Sequence, residues 1–248
     1  MRQLKRTFDL IFTVPALILL TPLFAVVAAV IKCDDRGPVF FLQERVGYRG
    51  KKFMLWKFRS MAPPGPLSSR ISRCLPVSSS PALPNYNTAP GPGDKPETGS
   101  AAQTANIFGS VSTSSSGPGQ LTVGEDPRIT RVGRWLRRTK IDELPQLINV
   151  LKGEMSLVGP RPEVPRYVAL YSGEQRQVLE LVPGITDPAS IKYRRESELL
   201  ALSSDPERTY IEQIMPDKIQ INLEYARQAT LLTDFKIILT TLRLVLKC

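Results

Sequence analysis

Apolar residues fall along this chain in several rhythms, and each predicts a different element. From Leu10 to Ile31 the sequence reads LIFTVPALILLTPLFAVVAAVI, 22 residues without a charge. A membrane helix needs about 20 such residues. Two shorter apolar and aromatic runs follow, Pro38–Val46 (PVFFLQERV) and Phe53–Met61 (FMLWKFRSM), separated by Gly47-Tyr48-Arg49-Gly50-Lys51. They predict a small β-hairpin closed by a glycine-containing loop. Alternation places Lys57 and Arg59 on one face of its second strand, and for Arg59 the plainest setting is a solvated or lipid-headgroup-facing edge. Through residues 62–123 the rhythm disappears. Ten of the chain's 22 prolines lie there among Ser and Gly, a composition that cannot bury enough surface to offset chain entropy. It predicts a disordered loop inserted into a domain.

Helical spacing returns after Asp126-Pro127-Arg128. Val132, Trp135 and Leu136 at i, i+3, i+4 predict one buried helix face, and Leu144, Leu147, Ile148 and Leu151 predict a second helix that stops at Lys152-Gly153. Val164–Leu181 and Lys218–Lys247 read as amphipathic helices. The KIILTTLRLVLK end suits either a bilayer surface or the core. The fold class that results is α+β, mainly helical, with a small β-hairpin and amphipathic interfacial helices.

Charge changes the reading of the long apolar run. The net charge is +10, and residues 1–61 hold eleven Lys/Arg against four Asp/Glu. Such a balance predicts an anionic partner: a nucleic acid, a membrane surface or a phosphorylated substrate. The run is too long for a signal peptide's core, and charged Lys32, Asp34, Asp35 and Arg36 follow it where a small-residue cleavage site would stand. Basic residues flank both of its ends, and basic flanks prefer the cytoplasmic side. A kinked spanning helix and a hairpin that enters and returns are both open, and only the hairpin satisfies both flanks. Thr21-Pro22, near the middle, is the expected break: Pro22 lacks the N–H that would bond the Ile18 carbonyl, and the Thr21 hydroxyl can satisfy a freed carbonyl locally. The expected layout is a re-entrant membrane anchor at 1–36. One cytoplasmic catalytic domain follows at 37–248, interrupted by the 62–123 loop. Three unpatterned cysteines exclude a disulfide framework and fit a reducing compartment.

There is no histidine, so Ser-His-Asp, Cys-His and histidine-ligated zinc chemistry are excluded. Carboxylates, Lys/Arg electrostatics and a metal that prefers oxygen remain. The adjacent Asp142 and Glu143 stand out. With Pro145 in a helix's first turn, Asp142 falls near the N-cap, and capping is a sufficient account of it. A site is the alternative: Arg137, Arg138 and Lys140 lie just upstream, and Gly159-Pro160-Arg161-Pro162 presents an arginine suited to bidentate phosphate contact. Carboxylates among phosphate-binding cations commonly hold a divalent metal, usually Mg²⁺.

KRTFD (5–9), the Pro22-interrupted run, GPVFFLQERVG (37–47), KFRSM (57–61), DPRITRVGRWLRRTKIDELPQLINVLKGEMSLVGPRPE (126–163) and VPGIT (182–186) resemble the bacterial sugar transferases. These are monotopic polyprenyl-phosphate phosphoglycosyl transferases. The resemblance implies that Asp142 attacks the β-phosphorus of a UDP-sugar and releases UMP. Undecaprenyl phosphate then takes the phosphosugar. It further implies Glu143 with Asp142 on Mg²⁺, Arg137, Arg161 and Lys57 on phosphates, and less defined substrate roles for Arg194 and Asp234. It also implies re-entry at Thr21-Pro22 and a place on the cytoplasmic face of the bacterial inner membrane. The chain departs from the family after PGIT, where Asp187–Tyr193 replaces the usual glycine-led run and leaves only Arg194 in register. A Mg²⁺-dependent hydrolase of lipid-linked or nucleotide diphosphates would use the same acids. A basic membrane scaffold explains the charge but leaves the acid pair as coincidence. Nucleic acid is not an expected partner, because the basic cluster has no aromatic stacking pattern or recognised module.

Overall fold

The first element of the computed structural model, α1, runs from Arg2 to Asp35 as one helix of 34 residues, passing through Pro15 and Pro22. Residues 2–35, 37–62 and 128–246 are described; the loop expected at 62–123 falls outside them from position 63 onward. Thr21-Pro22, the expected bend, does not interrupt the helix. A proline removes a single N–H from a helix, and the Thr21 hydroxyl donates to the Leu17 carbonyl at 2.8 Å, so the surrounding turns stay helical. Among the described residues α1 is the one helix long and apolar enough to cross a membrane.

Both ends of α1 pack on the rest of the fold. Near its start Arg6 donates to the carbonyls of Val150 and Leu151, and Asp9 accepts from the Leu157 amide at 3.1 Å. Near its end Val27 and Ile31 are buried with Phe58 and Leu136. Between them Thr13 is buried, and the middle of the helix is bare, with Ile18 at 71% and Leu19 at 78% exposure.

The hairpin forms as expected: β1 (Phe40–Val46) pairs antiparallel with β2 (Lys52–Phe58), Phe40 opposite Phe58 and Val46 opposite Lys52. Its alternation sends Leu55 into a cluster with Val150 and Met155, while Phe58 turns to α1. Arg59, expected on an exposed edge, is buried instead. Gly37 makes the room, since a Cβ there would lie 1.7 Å from the Arg59 Nη1 atom.

Helix α2 (Arg131–Arg138) starts where the Thr130 hydroxyl accepts from the Gly133 amide at 2.9 Å. Gly133 lies against the end of the hairpin so closely that a Cβ would sit 1.9 Å from the Ser60 carbonyl. Leu136 is buried as expected; Trp135 is half exposed, which corrects its assignment to the buried face. Helix α3 (Gln146–Lys152) ends at Gly153, φ 82°, the left-handed stop that glycine supplies. Leu151, expected in the core, is exposed, and Asn149 is fully buried. The Asn149 carboxamide accepts from the Trp56 amide at 3.0 Å and donates to the Met54 carbonyl at 2.8 Å, fastening α3 to β2.

β3 (Ser156–Val158) and β4 (Gly184–Thr186) pair in parallel. A Cβ on Gly184 would meet the Gly159 amide at 2.1 Å, so these two glycines let the backbones touch. The amphipathic helix expected over Val164–Leu181 is replaced by a short α4 (Pro165–Val168) and a 3₁₀ segment (Gln175–Glu180). Ser172-Gly173 separates them, with Ser172 and Gln175 bonded to each other. Three small helices follow, α5 (Pro188–Lys192), α6 (Glu196–Ala201) and α7 (Pro206–Thr209), the last leading through a π-turn at Tyr210–Ile214. The helix expected over Lys218–Lys247 is two, α8 (Met215–Arg227) and α9 (Leu231–Leu246). The Thr230 hydroxyl, which accepts from the Thr233 amide, starts the second. The largest apolar cluster, around Val164, Tyr167, Leu200, Tyr210 and Met215, binds α4, the π-turn and α8 together.

Candidate active site

Asp142 and Glu143 sit in a single 3₁₀ turn, Ile141–Glu143, between α2 and α3. Lys140 enters it in the left-handed region, φ 57°, and so turns the chain sharply. Pro145 takes the N-cap position of α3 and no side chain caps that helix. The expectation that Asp142 serves as N-cap is corrected, because the extra turn sets it too early to reach the first amides of α3. Asp142 is 6% exposed, and its buried Oδ1 has no hydrogen-bond partner. Burial and the neighbouring Glu143 charge push its carboxyl up to about 6, against the pull of Lys57, Lys140 and Arg137.

Glu143 is arranged oppositely. Arg161 grips it with both arms of its guanidinium, Nη1 to Oε2 at 3.0 Å and Nη2 to Oε1 at 2.5 Å. Lys57 Nζ stands 3.6 Å from Oε1. Burial alone would raise Glu143, but Arg161 and Lys57 outweigh it and hold its carboxyl well below the usual range. Burial brings Lys57 down to about 8 despite Glu143, whereas the Glu143 charge raises Arg161. The site thus contains one acid held ionised by its cations and one whose ionisation burial and its neighbour oppose. Asp142 and Glu143 form a two-carboxylate donor set, and Glu143 Oε2, which accepts from Arg161 Nη1, keeps a second lone-pair site. Among the described residues no group of three or more His, Cys, Asp or Glu gathers. Two carboxylates suit Mg²⁺, which is usually held by one or two of them together with substrate phosphates.

Of the residues singled out in the sequence, Lys57, Asp142, Glu143 and Arg161 come together. Arg137 joins them electrostatically and is steadied by its Nε donating to Ser60 Oγ at 2.9 Å. Asp234 is elsewhere, buried at the start of α9, where it accepts from Lys5 and from the Tyr225 hydroxyl. Arg194 is exposed after α5, and no contact described joins it to Asp142. Arg45 went unrecognised. It shares the inward face of the hairpin with Lys57, and its Nη1 donates to the Pro162 carbonyl at 3.0 Å. It reaches Glu163 Oε1 at 3.4 Å, and the Tyr210 hydroxyl donates to the other oxygen of that acid. Arg45 therefore fixes the turn that presents Arg161. Strand alternation, counted back from Lys57, was the signal for it.

This acid pair, its arginine fork and the apolar helix occur in a chain whose whole length, residues 1–248, matches the sequence profile described as bacterial sugar transferase. The chain belongs to the bacterial sugar transferase family. It is 35% identical to an undecaprenyl-phosphate glucose phosphotransferase of Komagataeibacter xylinus, over 96% of this chain and 35% of that one. It is 32% identical to a UDP-glucose:undecaprenyl-phosphate glucose-1-phosphate transferase of Escherichia coli (strain K12), over 97% of this chain and 39% of the relative. An exopolysaccharide production protein, ExoY, of Sinorhizobium fredii is 32% identical over 77% of this chain and 70% of its own. The chain thus spans less than two-fifths of the length of the first two relatives. Family membership joins the sequence resemblance to the geometry: the DELPQ and GPRP segments are the two strips of chain that bring Asp142, Glu143 and Arg161 together.

Proposed function

We propose that the protein transfers a sugar-1-phosphate from a UDP-sugar to undecaprenyl phosphate and so starts a lipid-linked polysaccharide. The observation that carries this reading is Asp142: a buried carboxylate with an unpartnered oxygen, beside a second acid locked to Arg161 and Lys57. A buried acid left without a partner reduces stability, and reactive groups are where such an arrangement is kept.

In the proposed first half-reaction the ionised Asp142 attacks the β-phosphorus of the donor. The bond from that phosphorus to the α–β bridging oxygen breaks, and UMP departs with the electron pair. An aspartyl phosphosugar remains. In the second half-reaction an oxygen of the lipid phosphate attacks the same phosphorus and Asp142 is released as carboxylate. Arg161, aimed by Glu143 and Arg45, and Lys57 face the negative charge that spreads over the phosphoryl oxygens. Arg137, whose charge acts on Asp142, meets the remaining phosphate charge. A carboxylate nucleophile needs no general base, which suits a chain without histidine. Asp142 and Glu143 would hold Mg²⁺ together with the donor's phosphates, and the ion would neutralise charge on the diphosphate.

The membrane arrangement belongs to the same proposal. Both ends of α1 pack on one body while Ile18 and Leu19 stand bare. An α1 that dips into the bilayer and returns keeps both ends, and the site, on the cytoplasmic face. Labelling of Cys33, which is exposed, and of a Gln3→Cys variant in sealed vesicles tests this; labelling from opposite sides overturns re-entry. For the chemistry, the protein is incubated with UDP-sugars and Mg²⁺ and its intact mass measured. A phosphosugar adduct with stoichiometric UMP release is expected, absent in Asp142→Asn. Free sugar phosphate without an adduct indicates hydrolysis instead.

A further inference from the structure

The Pro160–Glu163 turn carries two charged side chains, and each pairs away from the turn. Arg161 forks onto Glu143, while Glu163 takes Arg45 from the hairpin at 3.4 Å. Glu163 is fastened from several sides. Its carbonyl accepts from the Val46 amide at 2.9 Å. Its Oε1 accepts from the Val164 amide at 2.9 Å and from Arg45, and its Oε2 accepts from the Tyr210 hydroxyl. Burial, with Glu163 beside it, raises that hydroxyl far above its usual range, so it stays a donor.

Arg45 is the group that needs such a partner. Its other bonds go to neutral groups, the Pro162 carbonyl and Gln43 Oε1. Burial pulls its guanidinium below the usual range, Glu163 is the first charge to offset that, and Arg161 works the other way. The Glu143 charge reaches it as well. Two guanidinia therefore stand within range of Glu143, and Arg161 is the one that bonds it.

From this we propose that Glu163 is a positioning residue that holds Arg45 away from the acid pair and so leaves Glu143 to Arg161. Its effect on rate rests on the transferase reading above. A buried guanidinium that loses its carboxylate is left uncompensated, and Glu143 is the next acid whose charge reaches Arg45. Drawn there, Arg45 would share Glu143, slacken the Arg161 fork and add positive charge to the site. Glu163→Gln isolates this role, since a carboxamide keeps the size and can still hydrogen-bond but loses the charge.

The test uses the full chain in detergent and reads binding and chemistry separately. Calorimetry with inorganic diphosphate, without Mg²⁺, needs no turnover. Glu163→Gln is expected to bind it about threefold more tightly, because Arg45 adds its charge to the site. Adduct formation at saturating UDP-sugar is expected to fall about tenfold in the same variant. A merely structural Glu163 would give weaker binding together with slower chemistry. Adding Arg45→Gln to Glu163→Gln should speed adduct formation by at least about threefold, because the stray cation is removed. If Glu163→Gln does not fold alone, it is added to Arg45→Gln, where it should slow adduct formation less than about twofold. Unchanged or weaker diphosphate binding in folded Glu163→Gln overturns the proposal, as does a further fall when Arg45→Gln is added. A fall of about tenfold in the Arg45→Gln background overturns it too. An intact protein that binds diphosphate and forms no adduct defeats the transferase reading, and calorimetry still decides whether Glu163 restrains Arg45.

Discussion

Asp142 and Asp234 are both nearly sealed from solvent, at 6% and 2% exposure, and their surroundings differ in kind. Asp234 has a partner for each oxygen, Lys5 from α1 and Tyr225 from α8, and so ties α9 to two other elements. Asp142 has an oxygen with none, a second carboxylate beside it, and cations that act on it across space. Burial is common to both; satisfaction of the buried group is what separates a joint from a reactive centre. Both are candidate site residues in the sequence, and only their hydrogen-bond partners distinguish them.

The sharpest way to break this contrast is a pair of matched substitutions. Asp142→Asn should abolish the phosphosugar adduct and reduce turnover by at least about 10⁴-fold, the scale expected for loss of a nucleophile. Asp234→Asn should remain within about tenfold. Equal collapse in both, measured by UMP release, would erase the distinction. Next in size is Arg161→Lys, which keeps the charge and loses the fork; about a 10²-fold fall in turnover is expected.

The pH profile gives a smaller effect with a defined sign. In the proposed reaction Asp142 attacks as the carboxylate, so the single-turnover rate should fall about tenfold per pH unit below about 6. A flat profile between pH 5 and pH 7 would contradict the raised carboxyl. Smallest are the stabilities, which should move in opposite directions. The folded pKa of Asp142 lies above its unfolded value, so ionisation destabilises the fold as pH rises from 3.8 to about 6. Above that window Asp142→Asn should be more stable by up to about 3 kcal/mol, an advantage lost below it. Asp234→Asn should be less stable by about 2 kcal/mol at neutral pH. Thermal unfolding of the two variants reads both signs.

What was legible in the sequence was local or strictly periodic. The hairpin, the Gly153 stop and the acid pair with its arginines depend on a few neighbouring residues or on period-two alternation. What was missed depends on residues far apart. Asn149 gains its value only from the backbone of β2, and Arg45 only from a turn more than a hundred residues later. Apolar spacing overstated the helices at 164–181 and 218–247, because Ser172-Gly173 and Thr230 offer the backbone local bonds that compete with helix. Pro145 in a first helical turn would make Asp142 a cap; the 3₁₀ turn at Ile141–Glu143 puts Pro145 at the N-cap position instead, and Asp142 Oδ1 has no partner.

Helix α1 also has a practical consequence. Val27 and Ile31 complete the cluster that covers Phe58 and Leu136, and Asp9 holds the Leu157 amide next to β3. The apolar segment thus packs into the same body as the acid pair, so trimming α1 to obtain a water-soluble fragment would open the core beneath the hairpin. In the proposed membrane arrangement the same packing would set the height of Asp142 above the lipid. In the proposed reaction a donor arriving from solution and an acceptor confined to a sheet of lipid would then meet at one fixed level.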